Sequence, residues 1–297
     1  VPLEVLDGRT PFEVARKPRT DALAKAGRIG TVATTPEGFD AGSDVCSMSL
    51  LGYDPARYHT GRAPLEAAAM GIECAPSDWI FRCNLVTVMD GLMSDHSAGH
   101  IPSAESRQLL GDFADHLASE GIAEGMTFHL GVSYRNLMVD RTDRDYGEIN
   151  TVPPHDVPGE PIRKHLPRGG KQARLLCAMI EASEKLFAQH EVNVTRRELG
   201  EAPATHVWLW GPGRRPTMPL FKDALGLRGA IITAVDLLAG IGALIGWDRL
   251  DVPGITGYHD TDYAAKGRYA AAALDVYDLV CVHVEAPDEA SHQADAA

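Results

Sequence analysis

The sequence predicts an α/β protein built around a doubly wound parallel sheet, with a smaller α+β domain inserted into it. Two observations lead to this fold class. Beyond residue 205, short apolar runs at 207–210, 230–233 and 279–284 alternate with helical segments, as buried parallel strands do. Before it, strand-like and helical segments form a compact β–α–β pattern that ends in a proline-rich stretch. We place the inserted domain at residues 74–203, and the larger domain at residues 1–73 and 204–297.

The individual elements follow from local signals. Thr10-Pro11-Phe12-Glu13 is typical of a helix start, and residues 19–27 form a short amphipathic helix that stops at a glycine. The helical segments predicted next are 62–71 and 103–119. Alternating apolar and polar residues predict strands at 80–88 and 126–139, the second broken into two halves by Gly131.

Composition excludes several classes of partner. The net charge of −13 argues against nucleic acid and against an anionic membrane surface, both of which require clustered Lys and Arg. No apolar run approaches the roughly 18 residues of a membrane span. The five cysteines are scattered and form no Cys-x-x-Cys pair, which suits free thiols in a reducing compartment. We therefore predict a cytoplasmic protein, and the oligomeric state stays open.

Ser43 is the first candidate for chemistry. It lies in a small-residue turn directly before a helix-like segment, where backbone N–H groups and the helix dipole favour an anion. A hydroxyl at that point is well placed to attack phosphorus or to carry a phosphoryl group. On this pattern alone an ordinary N-cap serine is the stronger interpretation, because such caps are common.

Asp288 and His292 form the second candidate. They are four residues apart just past the apolar run 279–284, so one face of a helix turn would carry both. A carboxylate and an imidazole that converge there suit a divalent transition ion. The alternative is an aspartate cap followed by a histidine that faces solvent.

Cationic residues appear where an anion site would need them. Arg62 follows a glycine, and Arg82 and Arg135 lie in strand-like segments, where an unpaired guanidinium is costly and a bidentate oxyanion is a suitable partner. Lys222 is a further candidate phosphate cation, although it could simply be a solvated helix residue. For each arginine the alternative is a salt bridge to a local acid.

Two histidines complete the set of candidates. His100 ends the segment 94–100, whose Ser-Ala-Gly core makes a poor helix and indicates a loop that presents the imidazole to a substrate. A plain surface loop is the alternative. His155 follows two prolines in a rigid turn. The Gly211-Pro212-Gly213 segment lacks the lysine of a P-loop and the dinucleotide fingerprint, so nucleotide binding is not predicted.

Taken in order, these motifs closely resemble the archaeal-type cofactor-independent phosphoglycerate mutases, which belong to the alkaline phosphatase-like superfamily. The resemblance covers essentially the whole chain. The matching segments are GSDV and LLGYDP within residues 42–55, YHTGRAPLEA at 58–67, FRCNLVT at 81–87, SAGHI at 97–101, GVSYR at 131–135, WLWG at 208–211, AVDL at 234–237 and HVEAPDEA at 283–290.

The resemblance implies an alkaline phosphatase-like sheet and a phosphoserine intermediate at Ser43. It also implies two divalent metal ions (Mn, Mg, Zn or Co), with Ser43, Asp288 and His292 among the ligands, and no nucleotide or 2,3-bisphosphoglycerate. The substrate would be a small phosphorylated carboxylate, with 3-phosphoglycerate and 2-phosphoglycerate interconverted. The inserted domain would hold the glycerate, and Arg62, Arg82, His100 and Arg135 match positions suited to that task.

Two departures from the family pattern shape further expectations. The family begins with a strand that ends in an Asp-Gly metal motif, and Asp7-Gly8 precedes a helix start, so we do not take it as a ligand. The family also continues past His292 into further ligands. We therefore expect an incomplete metal site and poor activity from these residues alone. The alternatives are a homoserine kinase-like phosphotransferase of the same family and a metal-poor, non-catalytic binding protein.

Overall fold

The protein is described by a computed structural model that covers residues 2–295. Within this range the strands are β1 Trp79–Met89, β2 Leu92–Asp95, β3 Met126–Val132, β4 Arg135–Asp140, β5 His206–Arg214, β6 Gly229–Ile232, β7 Asp248–Arg249 and β8 Leu279–Val282. The α-helices are α1 Pro11–Val14, α2 Pro18–Ala26, α3 Ser43–Leu50, α4 Pro55–Tyr58, α5 Arg62–Ala69, α6 Ser103–Ser119, α7 Ala173–Ala188, α8 Glu191–Glu198, α9 Phe221–Leu225, α10 Asp236–Leu244, α11 Tyr263–Ala273 and α12 Ala286–His292.

An antiparallel sheet occupies the middle of the chain. β1 pairs with β4 along one edge and with β5 along the other, β3 lies outside β4, and β2 pairs with the end of β1. Side chains alternate between the two faces of a strand. Phe81, Cys83 and Leu85 accordingly pack into a core with α6, α7 and α8, whereas Ile80 packs on the other face against α5. Arg82 shares that second face.

β5 corrects one prediction. The run 207–210 was expected to be a parallel strand of the larger domain, but β5 pairs antiparallel with β1. Its continuous apolar pattern arises because both of its faces are covered. This explanation holds for an antiparallel strand as well as for a parallel one. Val207 and Leu209 pack into the core beneath the helices, while Trp208 and Trp210 pack on the opposite face.

The second sheet is parallel, in the order β7-β6-β8. Neighbouring residues of β6 face opposite sides: Ile231 packs with Leu238 and Ile241 of α10, and Ile232 packs with Ala265 of α11. Helices therefore cover both faces, as the sequence predicted for 230–233 and 279–284. The predicted helix at 103–119 is also confirmed. The segment 126–139 does form two strands, but Gly131 lies inside β3 and the break falls at Ser133-Tyr134.

The helices beneath the site are tightly packed. Gly240 of α10 lies against the backbone of Leu65 in α5, with no room for a Cβ atom between the two helices. α3 packs on the same region through Met48, which is fully buried. This packing fixes α3 and α5, the two helices that carry Ser43 and Arg62. None of the helices within residues 2–295 is long and apolar enough to cross a membrane.

Candidate functional site

A cavity of about 960 Å³ opens between the antiparallel sheet and the carboxyl ends of β6 and β8. Six of the nine predicted site residues line it: Ser43, Arg62, Arg82, Arg135, Asp288 and His292. Further lining groups come from β3 and β4, from α5, from the segment after β6, from the loop around Tyr258 and from the start of α12; they include the carboxylates of Glu66, Asp236, Glu285 and Glu289. Ligands of open parallel sheets bind beyond the carboxyl ends of the strands, so this position is the expected one.

Ser43 lies at the start of α3 and is exposed. Gly42 is the N-cap, and no side chain caps this helix by a hydrogen bond, so the alternative of an N-cap serine does not apply. The Ser43 hydroxyl makes no side-chain hydrogen bond within the described part of the chain. An exposed hydroxyl beside the first backbone N–H groups of a helix is available to an anion.

Asp44, the next residue, organises the floor of the site. Its carboxylate is 3% exposed and accepts a hydrogen bond from Nε2 of His59 at 2.7 Å and from Nε of Arg62 at 3.3 Å. Burial by itself raises the pKa of this carboxyl, but the hydrogen bond from His59 and the charge of Arg62 outweigh it. The pKa of Asp44 is therefore held well below its usual range, and the group is ionised at neutral pH.

Arg82 is fixed from two directions. Its Nε donates to one oxygen of Glu66 at 2.9 Å, and Nη2 lies 2.7 Å from the other oxygen. The guanidinium carbon also lies 4.2 Å from the ring centre of Trp210, in cation–π geometry. Burial raises the pKa of Glu66 and lowers the pKa of Arg82, and their ion pair opposes both shifts.

Arg135 and His100 meet at Tyr134. Nε of Arg135 donates to the Tyr134 hydroxyl at 3.2 Å, and the His100 ring centre lies 6.0 Å from that of Tyr134. His100 does not line the cavity; it ends a turn in which Ala98, Gly99 and His100 all have positive φ angles. Such a run is strained for residues other than glycine, so tertiary contacts must hold it.

Arg196 and Asp95 supply those contacts. Asp95 accepts hydrogen bonds from the backbone of Ser97 and Gly99, at 2.8 and 2.7 Å. The buried guanidinium of Arg196, on α8, donates to the carbonyl of Ala98 at 3.0 Å and to Glu105 at 2.7 Å. The loop that was predicted from the sequence is therefore a braced left-handed turn.

His155 and Lys222 lie outside the cavity lining. The His155 ring is 5.4 Å from the ring of Trp210, so it is one side chain away from Arg82. Burial lowers the pKa of His155, and the neighbouring Asp156 opposes this shift. Lys222 is exposed on α9, so the structure does not bring it to the other candidates.

Asp288 and His292 lie within one turn of α12, with Oδ2 and Nε2 3.3 Å apart. Glu285 is the N-cap of this helix, so Asp288 is not its cap, but the His292 side chain is 75% exposed, as the alternative interpretation expected. Among residues 2–295, however, no three His, Cys, Asp or Glu side chains are grouped closely enough to hold a metal ion. The described residues thus provide a possible ligand pair and not a complete metal site.

Sequence reasoning missed Glu66, Asp44 and His59. Glu66 is one helical turn from Arg62 on α5, so both project from the same side of the helix. That spacing was the available signal for Glu66. No local pattern links Asp44 to His59, because their contact depends on how α3 packs beside α4.

Comparison with known proteins identifies the family of this chain. A family model described as 2,3-bisphosphoglycerate-independent phosphoglycerate mutase matches residues 24–193. The chain is 50% identical over 295 residues to 2,3-bisphosphoglycerate-independent phosphoglycerate mutase 2 of Methanothermobacter thermautotrophicus, covering 99% of this chain and 72% of that protein. It is likewise 50% identical over 294 residues to the corresponding mutase of Methanothrix thermoacetophila, with the same coverage of 99% and 72%.

Solved structures extend the comparison. The PH0037 protein of Pyrococcus horikoshii superimposes with a TM-score of 0.78 at 25% identity, covering 99% of this chain and 70% of that one. The cofactor-independent phosphoglycerate mutase of Thermoplasma acidophilum gives a TM-score of 0.58 at 26% identity, with coverage of 95% and 73%. The chain therefore belongs to the 2,3-bisphosphoglycerate-independent phosphoglycerate mutase family, in its archaeal type.

Proposed function

We propose that this chain carries the active-site residues of a cofactor-independent phosphoglycerate mutase, which interconverts 3-phosphoglycerate and 2-phosphoglycerate. One observation carries the proposal. The exposed hydroxyl of Ser43, at a helix start, and three guanidinium groups, those of Arg62, Arg82 and Arg135, line the same cavity. A nucleophile that shares its cavity with guanidinium groups suits phosphoryl transfer to and from an anionic substrate, although five carboxylates also line this cavity.

The reaction has two transfers. The Ser43 oxygen attacks the phosphorus of 3-phosphoglycerate, the bond from phosphorus to the C3 oxygen breaks, and the proton of the serine goes to that oxygen. The freed glycerate then turns, and its C2 hydroxyl attacks the phosphoserine and returns the proton to Ser43. Ser43 is therefore the nucleophile of the first transfer and the leaving group of the second, and the phosphoryl group stays in the site throughout.

The arginines would hold the phosphoryl group and the glycerate in the cavity between the two transfers. Arg62 is paired with Asp44, the residue next to Ser43, so its guanidinium lies where it would neutralise the phosphoryl oxygens. Arg82 and Arg135 come from adjacent strands across the cavity and are placed to bind the carboxylate of the glycerate. His100 and His155 do not line the cavity. His100 contacts Tyr134 and His155 contacts Trp210, and these two aromatic side chains contact Arg135 and Arg82 in turn.

Divalent metal ions are a separate part of the proposal. The support is one carboxylate and one imidazole 3.3 Å apart on α12, at the edge of the cavity. Because the described residues do not group three ligands, the steps above rely on this chain's own side chains alone. Titration with Mn²⁺, followed by calorimetry, tests the pair directly. Wild type should bind more tightly than Asp288→Asn, and equal binding by the two proteins would contradict the assignment.

Acid quenching with labelled substrate tests the nucleophile. Wild-type chain mixed with ³²P-labelled 3-phosphoglycerate should retain label in a peptide that contains Ser43, whereas Ser43→Ala should retain none. Ser47→Ala is the matched control, since Ser47 is one turn further along α3 and does not line the cavity. Labelling of Ser43→Ala at the wild-type level would refute the assignment of Ser43. The label reports one transfer, so the test does not need complete turnover.

The homoserine kinase-like alternative differs from the mutase in the molecule that accepts the phosphoryl group. Homoserine has a hydroxyl but no phosphoryl group of its own, so transfer to it requires a separate phosphate donor. Supplying homoserine with such a donor should give no phosphohomoserine, and its formation would favour this alternative. The non-catalytic alternative predicts no label on Ser43 and no bound Mn²⁺.

Two wider assignments belong with this proposal. We propose that residues 74–203, together with β5, act as the unit that holds the glycerate, because β5 completes the sheet that carries Arg82 and Arg135. We also propose a cytoplasmic site of action, in keeping with five cysteines that form no disulfide. Limited proteolysis and fractionation of the source cells would test these two assignments.

A further inference from the structure

Glu66 is a charged residue with no role in the two transfers described above. It lies on α5, lines the cavity and keeps only 16% of its side chain exposed. Both of its oxygens are engaged by Arg82, at 2.7 and 2.9 Å. Removing a carboxylate from water costs free energy, which its pairing with Arg82 offsets. A retained buried pair of this kind therefore calls for an explanation.

The pair uses only one edge of the guanidinium. Glu66 takes the edge formed by Nε and Nη2, while Nη1 has no hydrogen-bond partner among residues 2–295. Guanidinium N–H groups form a rigid planar fork, so fixing one edge also fixes the direction of the other. Trp210 lies against the face of the same group at 4.2 Å and prevents the plane from tilting.

The surroundings would otherwise disorder Arg82. Arg62 and Arg135 are close enough that their charges act on it, and both line the same cavity. Like charges repel strongly where water is scarce, and a free arginine side chain has many rotamers. Glu66 counters the repulsion and removes this rotational freedom.

We propose that Glu66 is a positioning residue, which aims the free edge of the Arg82 guanidinium into the cavity so that it binds the substrate carboxylate in bidentate fashion. The inference rests on the proposed function, because it takes a phosphorylated glycerate as the ligand. It goes beyond that function in assigning orientation to a residue that does not touch the substrate. Glu66 makes its hydrogen bonds to Arg82, although its charge also reaches Arg135, and the dependence on Arg82 is what an experiment can measure.

A double-mutant cycle measures it, with 3-phosphoglycerate binding followed by calorimetry and no turnover required. Glu66→Gln should weaken binding about tenfold, which corresponds to the loss of one charge-assisted contact. In an Arg82→Met background, the same change should weaken binding much less, because its hydrogen-bonded partner has gone and only its charge interaction with Arg135 is left. Glycerate and inorganic phosphate serve as separate probes, and only glycerate should lose affinity with Glu66→Gln.

Each other outcome decides the matter. Equal weakening in both backgrounds would mean a general structural role and would overturn the inference. Tighter binding by Glu66→Gln would mean that Glu66 only lowers the positive charge of the site, which also overturns it. Loss of phosphate affinity with unchanged glycerate affinity would contradict the carboxylate assignment. If wild type itself binds no 3-phosphoglycerate, the proposed function fails, and the inference falls with it.

Folding is controlled separately. Asp140→Asn weakens another buried pair, with Arg144 at 3.2 Å, in the same sheet but outside the cavity lining, and should leave binding unchanged. If Glu66→Gln does not fold, Glu66→Asp keeps the charge and shortens the reach by one methylene. That variant should fold and weaken glycerate binding, and wild-type affinity in Glu66→Asp would overturn the inference.

Discussion

Replacing Gly240 with alanine should separate the two helices that support the cavity. A Cβ atom built on Gly240 overlaps the carbonyl oxygen of Leu65 and lies 2.6 Å from its carbonyl carbon. Non-bonded carbon atoms prefer about 3.5–4.0 Å, so α5 and α10 must move apart by roughly 1 Å. The contact is backbone against Cβ, and no flexible side chain can give way.

The magnitude follows from two opposing effects. Overpacking a close contact costs about 1–3 kcal/mol, and this contact belongs at the upper end because the obstacle is backbone. Alanine gains up to about 1 kcal/mol over glycine in a helix interior. The net loss of about 2 kcal/mol should lower the melting temperature by about 4–8 °C.

Gly111→Ala is the matched control. Gly111 lies inside α6, is exposed, and would have nothing within 4 Å of an added Cβ. The same substitution should therefore stabilise the protein there by about 0.5–1 kcal/mol. Calorimetric melting of both variants gives the comparison, and a Gly240→Ala variant that melts at or above wild type would refute the packing argument.

The same variant tests the link from packing to function. α5 carries both Arg62 and Glu66, so a shift of roughly 1 Å in this helix moves the guanidinium groups of the site. We expect 3-phosphoglycerate to bind about tenfold more weakly to Gly240→Ala, in proportion to the misplacement. Unchanged affinity together with a lowered melting temperature would show that the cavity tolerates this movement.

Three further predictions concern other parts of the site. Asp44→Asn should lower stability at neutral pH by about 1.5–3 kcal/mol, since the charge that accepts from His59 and Arg62 is lost. Because the pKa of Asp44 is lowered on folding, its stabilisation exists above the usual carboxyl pKa of about 4 and disappears as the pH falls further. Melting curves of wild type and variant should therefore converge in acid, and parallel curves would contradict the pairing. Arg196→Lys should release the turn at Ala98, which hydrogen exchange would report as faster exchange of the amides at 97–100. Lys222→Ala should change neither the melting temperature nor 3-phosphoglycerate affinity, and a clear loss of binding would return Lys222 to the site.

Local sequence patterns predicted most of the secondary structure. The helical spacing at 103–119 matches α6, and the alternation at 80–88 falls within β1. These elements are predictable because each one buries a face that its own period defines. Strand pairing is different: β5 reads as an all-apolar strand whether its neighbour runs parallel or antiparallel. The antiparallel pairing of β5 with β1, which no local pattern in β5 encodes, sets its direction.

The site divides in the same way. Arg82 and Arg135 lie in strands as their sequence context indicated, and both line the cavity, but Arg82 is paired with Glu66, the local salt bridge that was the alternative. His100 was predicted from its loop composition, yet its ring reaches only Tyr134 because a left-handed turn directs the chain. Lys222 had no constraint beyond its charge. The strand around each arginine was therefore predictable, whereas the partner of each side chain depends on tertiary contacts and was not.

The cavity lining combines three guanidinium groups with five carboxylates, those of Glu66, Asp236, Glu285, Asp288 and Glu289. The chain carries a net charge of −13, so its overall field repels a phosphorylated carboxylate. Arg62 and Arg82 are each paired with a carboxylate, Asp44 and Glu66, that belongs to the site itself. Two of the three guanidinium groups thus add little net charge to the cavity. What they add is direction, because each carboxylate holds the Nε–Nη2 edge and leaves the other edge for a ligand. Recognition in such a site depends on how donors are aimed, and for that reason a neutral substitution at Glu66 should weaken binding even as it makes the cavity more positive.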